Sequence, residues 1–206
     1  MSLTLIALFI PTFFFVSLTP GMCMLLALTL GMSIGVRKTL YMMYGELIGI
    51  TIVALGAALG VATLMLKLPQ VFFVFKFIGA AYLIWLGYQM WQSRGRLVIT
   101  TGQSSNSQVT AKELAFNGFI TAIANPKGWA FMIALLPSFI DAKQPLGSQL
   151  TVIIVLLVTL EFTALMIYAC GGKALRHLLL NKNNVKLMNR ISGSLMVLVG
   201  CWLGVS

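Results

Sequence analysis

The stretch LAFNGFITAIANPKGWAFMIALLPSFI, residues 114–140, is an apolar run long enough to cross a bilayer, with an amide, a proline and a full positive charge near its middle. Pro126 removes a backbone donor and pushes Asn125 out of helical geometry, so a helix written by this run breaks there. Lipid neither satisfies the carbonyls freed by such a break nor solvates Lys127. The break must therefore face protein or a water-filled cavity. The first apolar run carries a similar interruption, Thr19-Pro20-Gly21. Two broken spans, one in each half of the chain, are the pattern of an internally repeated membrane transporter.

The bulk composition agrees. Apolar residues make up 59% of the 206, charged residues 9%, and the mean hydropathy is +0.98. A soluble domain carries about a quarter charged residues. The formal charge of +10 invites a nucleic-acid partner, but the cations are scattered over short loops between apolar runs and form no single basic face. No nucleic-acid role follows. The N-terminus lacks a cationic leader, contains Pro11 and stays apolar to about Leu30, which predicts a retained first span and not a cleaved signal.

Six spans can be drawn: 3–30, 40–66, 71–91, 114–140, 150–171 and 187–205. The sixth is short, with Arg190 expected to snorkel to the interface. Arg37 and Lys38 follow span one; Arg94, Arg96 and Lys112 follow span three; Lys173, Arg176, Lys182, Lys186 and Arg190 follow span five. Only Lys67, Lys76 and Lys143 stand on the other side. This bias puts loops one, three and five in the cytoplasm and both termini outside. Tyr82, Trp85, Tyr88 and Trp91 gather at the cytoplasmic half of span three, near the level where amphipathic rings prefer to sit. The predicted fold is an all-α, polytopic, single transporter domain with broken helices 1 and 4. Residues 1–91 form one repeat, 92–113 a polar cytoplasmic linker, and 114–206 a second repeat. Three crossings per repeat make this a 3+3 inverted arrangement.

The candidate site residues are those that lipid would not tolerate. Lys127 either pairs structurally with Glu161 or adds its charge to the positive end of the second half-helix, where a substrate carboxylate would sit. Gly21, after Pro20, lets a ligand approach the start of the first half-helix. Glu161, near the centre of span five, suits proton exchange or a substrate ammonium. Glu46 lies six residues into span two and reaches either the same cavity or Arg37 and Lys38 at the interface. Asp141 and Glu113, at span ends, are expected to be solvated. Together with Asn125 and Pro126 these residues outline a midplane site. No metal is predicted, because the single histidine, His177, has no neighbouring ligands. No cofactor is implied, and no Ser/His/Asp set can be assembled. Cys23, Cys170 and Cys201 read as buried thiols; a thiol–disulfide carrier would need Cys23 and Cys170 to face each other. A small channel or cation exporter is the other alternative.

Several stretches resemble the LysE/RhtB family of bacterial amino-acid exporters: Thr19-Pro20-Gly21, residues 79–87 (GAAYLIWLG), Asn125-Pro126-Lys127, residues 136–140 (LPSFI) and Thr159-Leu160-Glu161. They follow in the family's order along essentially the whole chain. The resemblance implies a plasma-membrane efflux carrier for amino acids or close derivatives, with protons as the coupling ion. Two departures stand out. Met22 occupies the place where the family usually continues Pro-Gly-Pro, and Ile50 stands where many members carry the span-two acid, with Glu46 one turn earlier. The substrate and the oligomeric state, monomer or homo-oligomer, stay open at this point.

Overall fold

A computed structural model describes residues 3–67, 69–92, 109–141 and 144–205. Among these the chain is entirely helical. The helices are α1 (Leu3–Leu18), α2 (Met22–Ser33), α3 (Val36–Lys67), α4 (Pro69–Gln92), α5 (Ala111–Ile123), α6 (Pro126–Leu135), α7 (Leu146–Leu180) and α8 (Lys182–Val205), with a 3-10 turn at Leu136–Phe139. Segments Val36–Gly60 and Leu146–Gly172 are long and apolar enough to cross a membrane, and α1 with α2, bent by 59° at the break, is long and apolar enough when the pair is taken together. Most of the expected linker, residues 93–108, lies outside the described residues.

Both predicted breaks are present. Helix α1 continues through Pro11 and stops at Leu18, and α2 restarts after Gly21. Helix α5 stops at Ile123 and α6 restarts at Pro126, a proline at the first turn where its missing donor costs nothing. Where Glu113 was expected to be merely solvated, it closes a capping box with Thr110 at the start of α5.

The basic segment after span five is not the loop that its charge suggested. The apolar part of α7 ends at Gly172, where φ 43° and ψ −130° kink the backbone, and the helix then resumes to Leu180. Helix α8 begins at Lys182, ahead of the expected start at 187. Lys, Arg, Leu and Ala are all good helix formers, so charge interrupts hydropathy here without interrupting the helix. Arg190, expected to reach for the interface, rests over the Trp91 ring at 5.4 Å.

Close backbone approaches fix how the helices cross. Helix α3 packs along α5, α4 along α8, and α2 along α7. Gly45 abuts Ala115, Gly118 abuts Met42, and Gly31 abuts Ala169; a Cβ at any of the three would collide with backbone. Gly87 and Gly193 meet reciprocally, each leaving only 2.6 and 2.5 Å between an added Cβ and the other's carbonyl. Gly60 and Gly204, by contrast, face open space.

The buried apolar residues fall into two clusters. One gathers Phe9, Phe13, Val53, Phe131, Phe139 and Leu157. The other gathers Met24, Leu28, Met42, Met43, Leu165 and Tyr168. Along α3, Glu46 stands between Met43 of the second cluster and Ile50 of the first; along α7, Glu161 stands between Leu157 and Ala164. A polar belt thus divides the core at the level of the two breaks.

Candidate functional site

The belt lines a cavity of about 40 Å³, space for about three waters at ~10–15 Å³ each. Gly21, Glu46, Asn125, Lys127 and Glu161, all singled out in the sequence, line it together. Pro20 does not line it; half-buried in the gap between α1 and α2, it shapes the break. Pro126 likewise acts through the backbone, opening α6.

Each broken end must dispose of its orphan carbonyls, and the two breaks do so differently. At the end of α1, the Lys127 ammonium donates to the carbonyls of Val16 at 2.7 Å and Thr19 at 3.1 Å, both from 108 or more residues away in sequence. The Tyr168 hydroxyl donates to the Leu18 carbonyl at 2.8 Å. The Thr19 hydroxyl takes the Phe15 carbonyl at 3.0 Å. The first break is therefore held from across the molecule. The second is self-sufficient: Trp129 Nε1 donates to the Ile123 carbonyl at 2.8 Å, and the Asn125 side chain accepts from the Lys127 amide at 3.1 Å.

Lys127 makes its side-chain hydrogen bonds to the end of α1. Among the described residues it forms no ion pair with Glu161, and two of its three protons go to α1. The start of α2 has no side-chain cap, whereas that of α6 is capped by Asn125. The starts of the two half-helices are consequently not equivalent: that of α2, at Gly21, carries no side-chain cap.

The acids occupy the opposite wall. Glu46 is only 1% exposed and Glu161 8%. Glu46 sits ten residues into α3, about 15 Å from its start at 1.5 Å per residue, deeper than the sequence estimate because α3 begins at Val36. It does not reach Arg37 or Lys38, which are exposed or nearly so. Its carboxyl lies against that of Glu161 and the Cys23 thiol at the cavity. Ser17 Oγ donates to Glu161 Oε2 at 2.5 Å. Glu46 Oε2 is buried and has no hydrogen-bond partner among the described residues.

Sequence reasoning missed Ser17 and Tyr168, and gave Cys23 no place in the site. Tyr168 stands seven residues after Glu161, hence on the same face of α7, and that spacing was the available signal. Ser17 lies one turn before Gly21. Cys23 is buried at the cavity and receives the Asn125 amide at 3.7 Å, while Cys170 and Cys201, expected to be buried, are exposed. Cys23 and Cys170 do not face each other, so the redox alternative loses its geometric basis. The rest of the lining is Thr19, Gly128 and the apolar Phe13, Val16, Met24, Ile50, Phe131 and Met132.

Broken helices around a buried cavity lined by ionisable side chains are the arrangement of a membrane transporter. The family model of the LysE type translocator matches residues 14–206, and the chain belongs to that family. It is 29% identical over 187 residues to the homoserine/homoserine lactone efflux protein of Salmonella typhimurium, covering 91% of this chain and 89% of that one. It is 30% identical over 186 residues to the leucine efflux protein of Klebsiella pneumoniae, covering 89% and 86%. An uncharacterized membrane protein of Vibrio cholerae is 31% identical over 185 residues, covering 90% and 88%. No solved structure matches. The work of this chain is transport across a membrane.

Proposed function

We propose that the protein is a secondary carrier that exports amino acids or close derivatives from the cytoplasm across the bacterial plasma membrane, driven by the proton motive force. The observation that carries this reading is the pair of buried acids, Glu46 and Glu161, that share one cavity with Lys127 between two helix breaks. A substrate ammonium would be held by these carboxyls through charge-assisted hydrogen bonds, and its carboxylate would lie at the uncapped start of α2, beside Gly21 and the remaining Lys127 proton. The efflux functions named for the relatives support the same substrate class. Replacement of the ammonium by a proton on the acids would couple export to proton entry, to which the membrane potential contributes about 2.3 kcal/mol per charge per 100 mV.

Six spans in two inverted repeats agree with the helix pairings. Exchanging α1–α4 for α5–α8 turns the α3–α5 contact into α7–α1 and the α2–α7 contact into α6–α3, and leaves α4–α8 in place; all of these contacts occur. In this arrangement the cation-rich loops face the cytoplasm and both termini face outward. Export would then proceed by the two apolar clusters parting in turn on either side of the cavity.

A cavity between two apolar clusters favours a carrier over a channel. Counterflow in proteoliposomes tests it: a carrier exchanges labelled amino acid against unlabelled, and Glu46→Gln and Glu161→Gln abolish the exchange while the protein still inserts. Conductance without counterflow, or full exchange in both variants, would overturn the proposal.

A further inference from the structure

Helix α8 opens with a cationic edge that no carboxylate in the chain balances. Lys182, Lys186 and Arg190 stand on three successive turns, all exposed, over about 12 Å at 1.5 Å per residue. The sequence holds only four acids. Glu46 and Glu161 line the cavity, Glu113 caps α5 with Thr110, and Asp141 precedes α7 at the end away from α8. Among the described residues none of them pairs with the three cations. Arg190 is nevertheless held in place. Its guanidinium lies over the Trp91 ring, 5.4 Å from the centroid, and Trp91 Nε1 donates to Ser194 Oγ at 3.0 Å, one turn further along α8. Stacking occupies a face of the guanidinium and leaves its in-plane N–H donors, which meet no acceptor among the described residues. Next to Lys186 and Arg190 stand Leu187 and Ile191, both exposed, and Leu198 continues that apolar face. Exposed Tyr88 and Trp91 mark the same level on α4, the kind of ring that sits where headgroups meet acyl chains.

We propose that this edge of α8 binds one anionic phospholipid, with the phosphate on Arg190, Lys186 and Lys182 and an acyl chain along Leu187, Ile191 and Leu198. The planar donors of a stacked arginine match two phosphate oxygens, and lysines one and two turns away add point charges. A soluble anion satisfies the cations alone, whereas a lipid also covers the apolar face beside them. A zwitterionic lipid brings its own ammonium to the same place and loses the electrostatic attraction. The site requires α8 to be the sixth span set out above and is independent of what is exported.

The test is the unfolding midpoint of the purified protein in a neutral detergent, titrated with phosphatidylglycerol, with phosphatidylcholine of the same chains, or with inorganic phosphate. A ligand that binds the folded state raises the midpoint. A rise is expected with phosphatidylglycerol alone. Each cation at a membrane surface is worth about fivefold in affinity for anionic lipid. The double variant Lys182→Gln, Lys186→Gln is therefore expected to raise the half-maximal lipid concentration about 25-fold. Arg190→Gln serves as the second variant should the first fail to fold. Arg37→Gln with Lys38→Gln, at the start of α3, removes the same charge elsewhere and is expected to leave the titration unchanged. An equal rise with phosphatidylcholine or with inorganic phosphate would overturn the lipid site. So would no rise with phosphatidylglycerol, or an equal loss in the α3 variant. Each of these results leaves the export reading standing.

Discussion

Replacing Lys127 by methionine separates a structural clasp from a substrate contact. The ammonium donates to two carbonyls of the first break, at 2.7 and 3.1 Å. Val16 keeps a second donor, the Thr19 amide at 3.1 Å. Hydrogen bonds to charged groups are worth about 1.5–3 kcal/mol each, and an orphaned buried acceptor costs about 1–3 kcal/mol. Counting the Lys127 bond to the Thr19 carbonyl as lost and the Val16 carbonyl as partly compensated, Lys127→Met is expected to destabilise the fold by about 2–4 kcal/mol. For a chain of this size that lowers the unfolding midpoint by roughly 5–15 °C. The measurement is thermal unfolding of the purified variant in detergent, paired with counterflow. Export is expected to fall together with stability, because the end of α1 carries Ser17 and so positions Glu161. An unchanged midpoint with export abolished would refute the clasp and return Lys127 to the substrate carboxylate.

Tyr168→Phe removes the hydroxyl that takes the Leu18 carbonyl at 2.8 Å and should cost about 1–3 kcal/mol in unfolding; an unperturbed midpoint would mean that the carbonyl finds another donor. Gly21→Ala tests whether the space beside α2 belongs to the ligand. The backbone there is extended, at φ −139° and ψ −176°, and an added Cβ meets Lys127 at a comfortable 3.8 Å. Stability should hold or rise by about 0.4–1 kcal/mol, while the KM for export rises; unchanged kinetics would place Gly21 outside the ligand's path. At the start of α5, hydrogen bonds from Thr110 hold the Glu113 carboxyl below the usual carboxylate range. The stabilisation they give is complete above the unfolded value near 4.5 and is lost as pH falls through the lowered folded value. Amide exchange in the first turn of α5 should quicken over that acidic window, and Thr110→Val should weaken the pH dependence.

The breaks were legible because Pro20 is followed by Gly21 and Pro126 follows a capping Asn125, local signals that Pro11, inside the continuous α1, lacks. Glu161 was legible because an acid at the centre of an apolar run needs a reason. What Lys127 touches was not, since the nearest unmet acceptors are backbone carbonyls from the other half of the chain, and orphan carbonyls leave no mark in a sequence. Tyr168 was hidden for the same reason. Its partner, the Leu18 carbonyl, exists as an acceptor only once α1 has ended. The depth of Glu46 was misjudged because Arg37 and Lys38 were taken to end the span, whereas α3 runs through them from Val36.

The division of the apolar interior by a polar belt also bears on how energy is shared within the molecule. The first broken span contributes one segment to each side: α1 supplies Phe9 and Phe13 to one cluster, and α2 supplies Met24 and Leu28 to the other. The second does the same in part, with Leu114 of α5 in one cluster and Phe131 of α6 in the other. Through-running helices such as α3 and α7 stitch the sides together. Substitutions on opposite sides and far from the belt share no packing partner, so their energetic effects should be nearly additive, while substitutions within a side should not. Such a chain behaves as two small cores on common rods. Each can loosen without dissolving the other, and the belt supplies the plane along which they part.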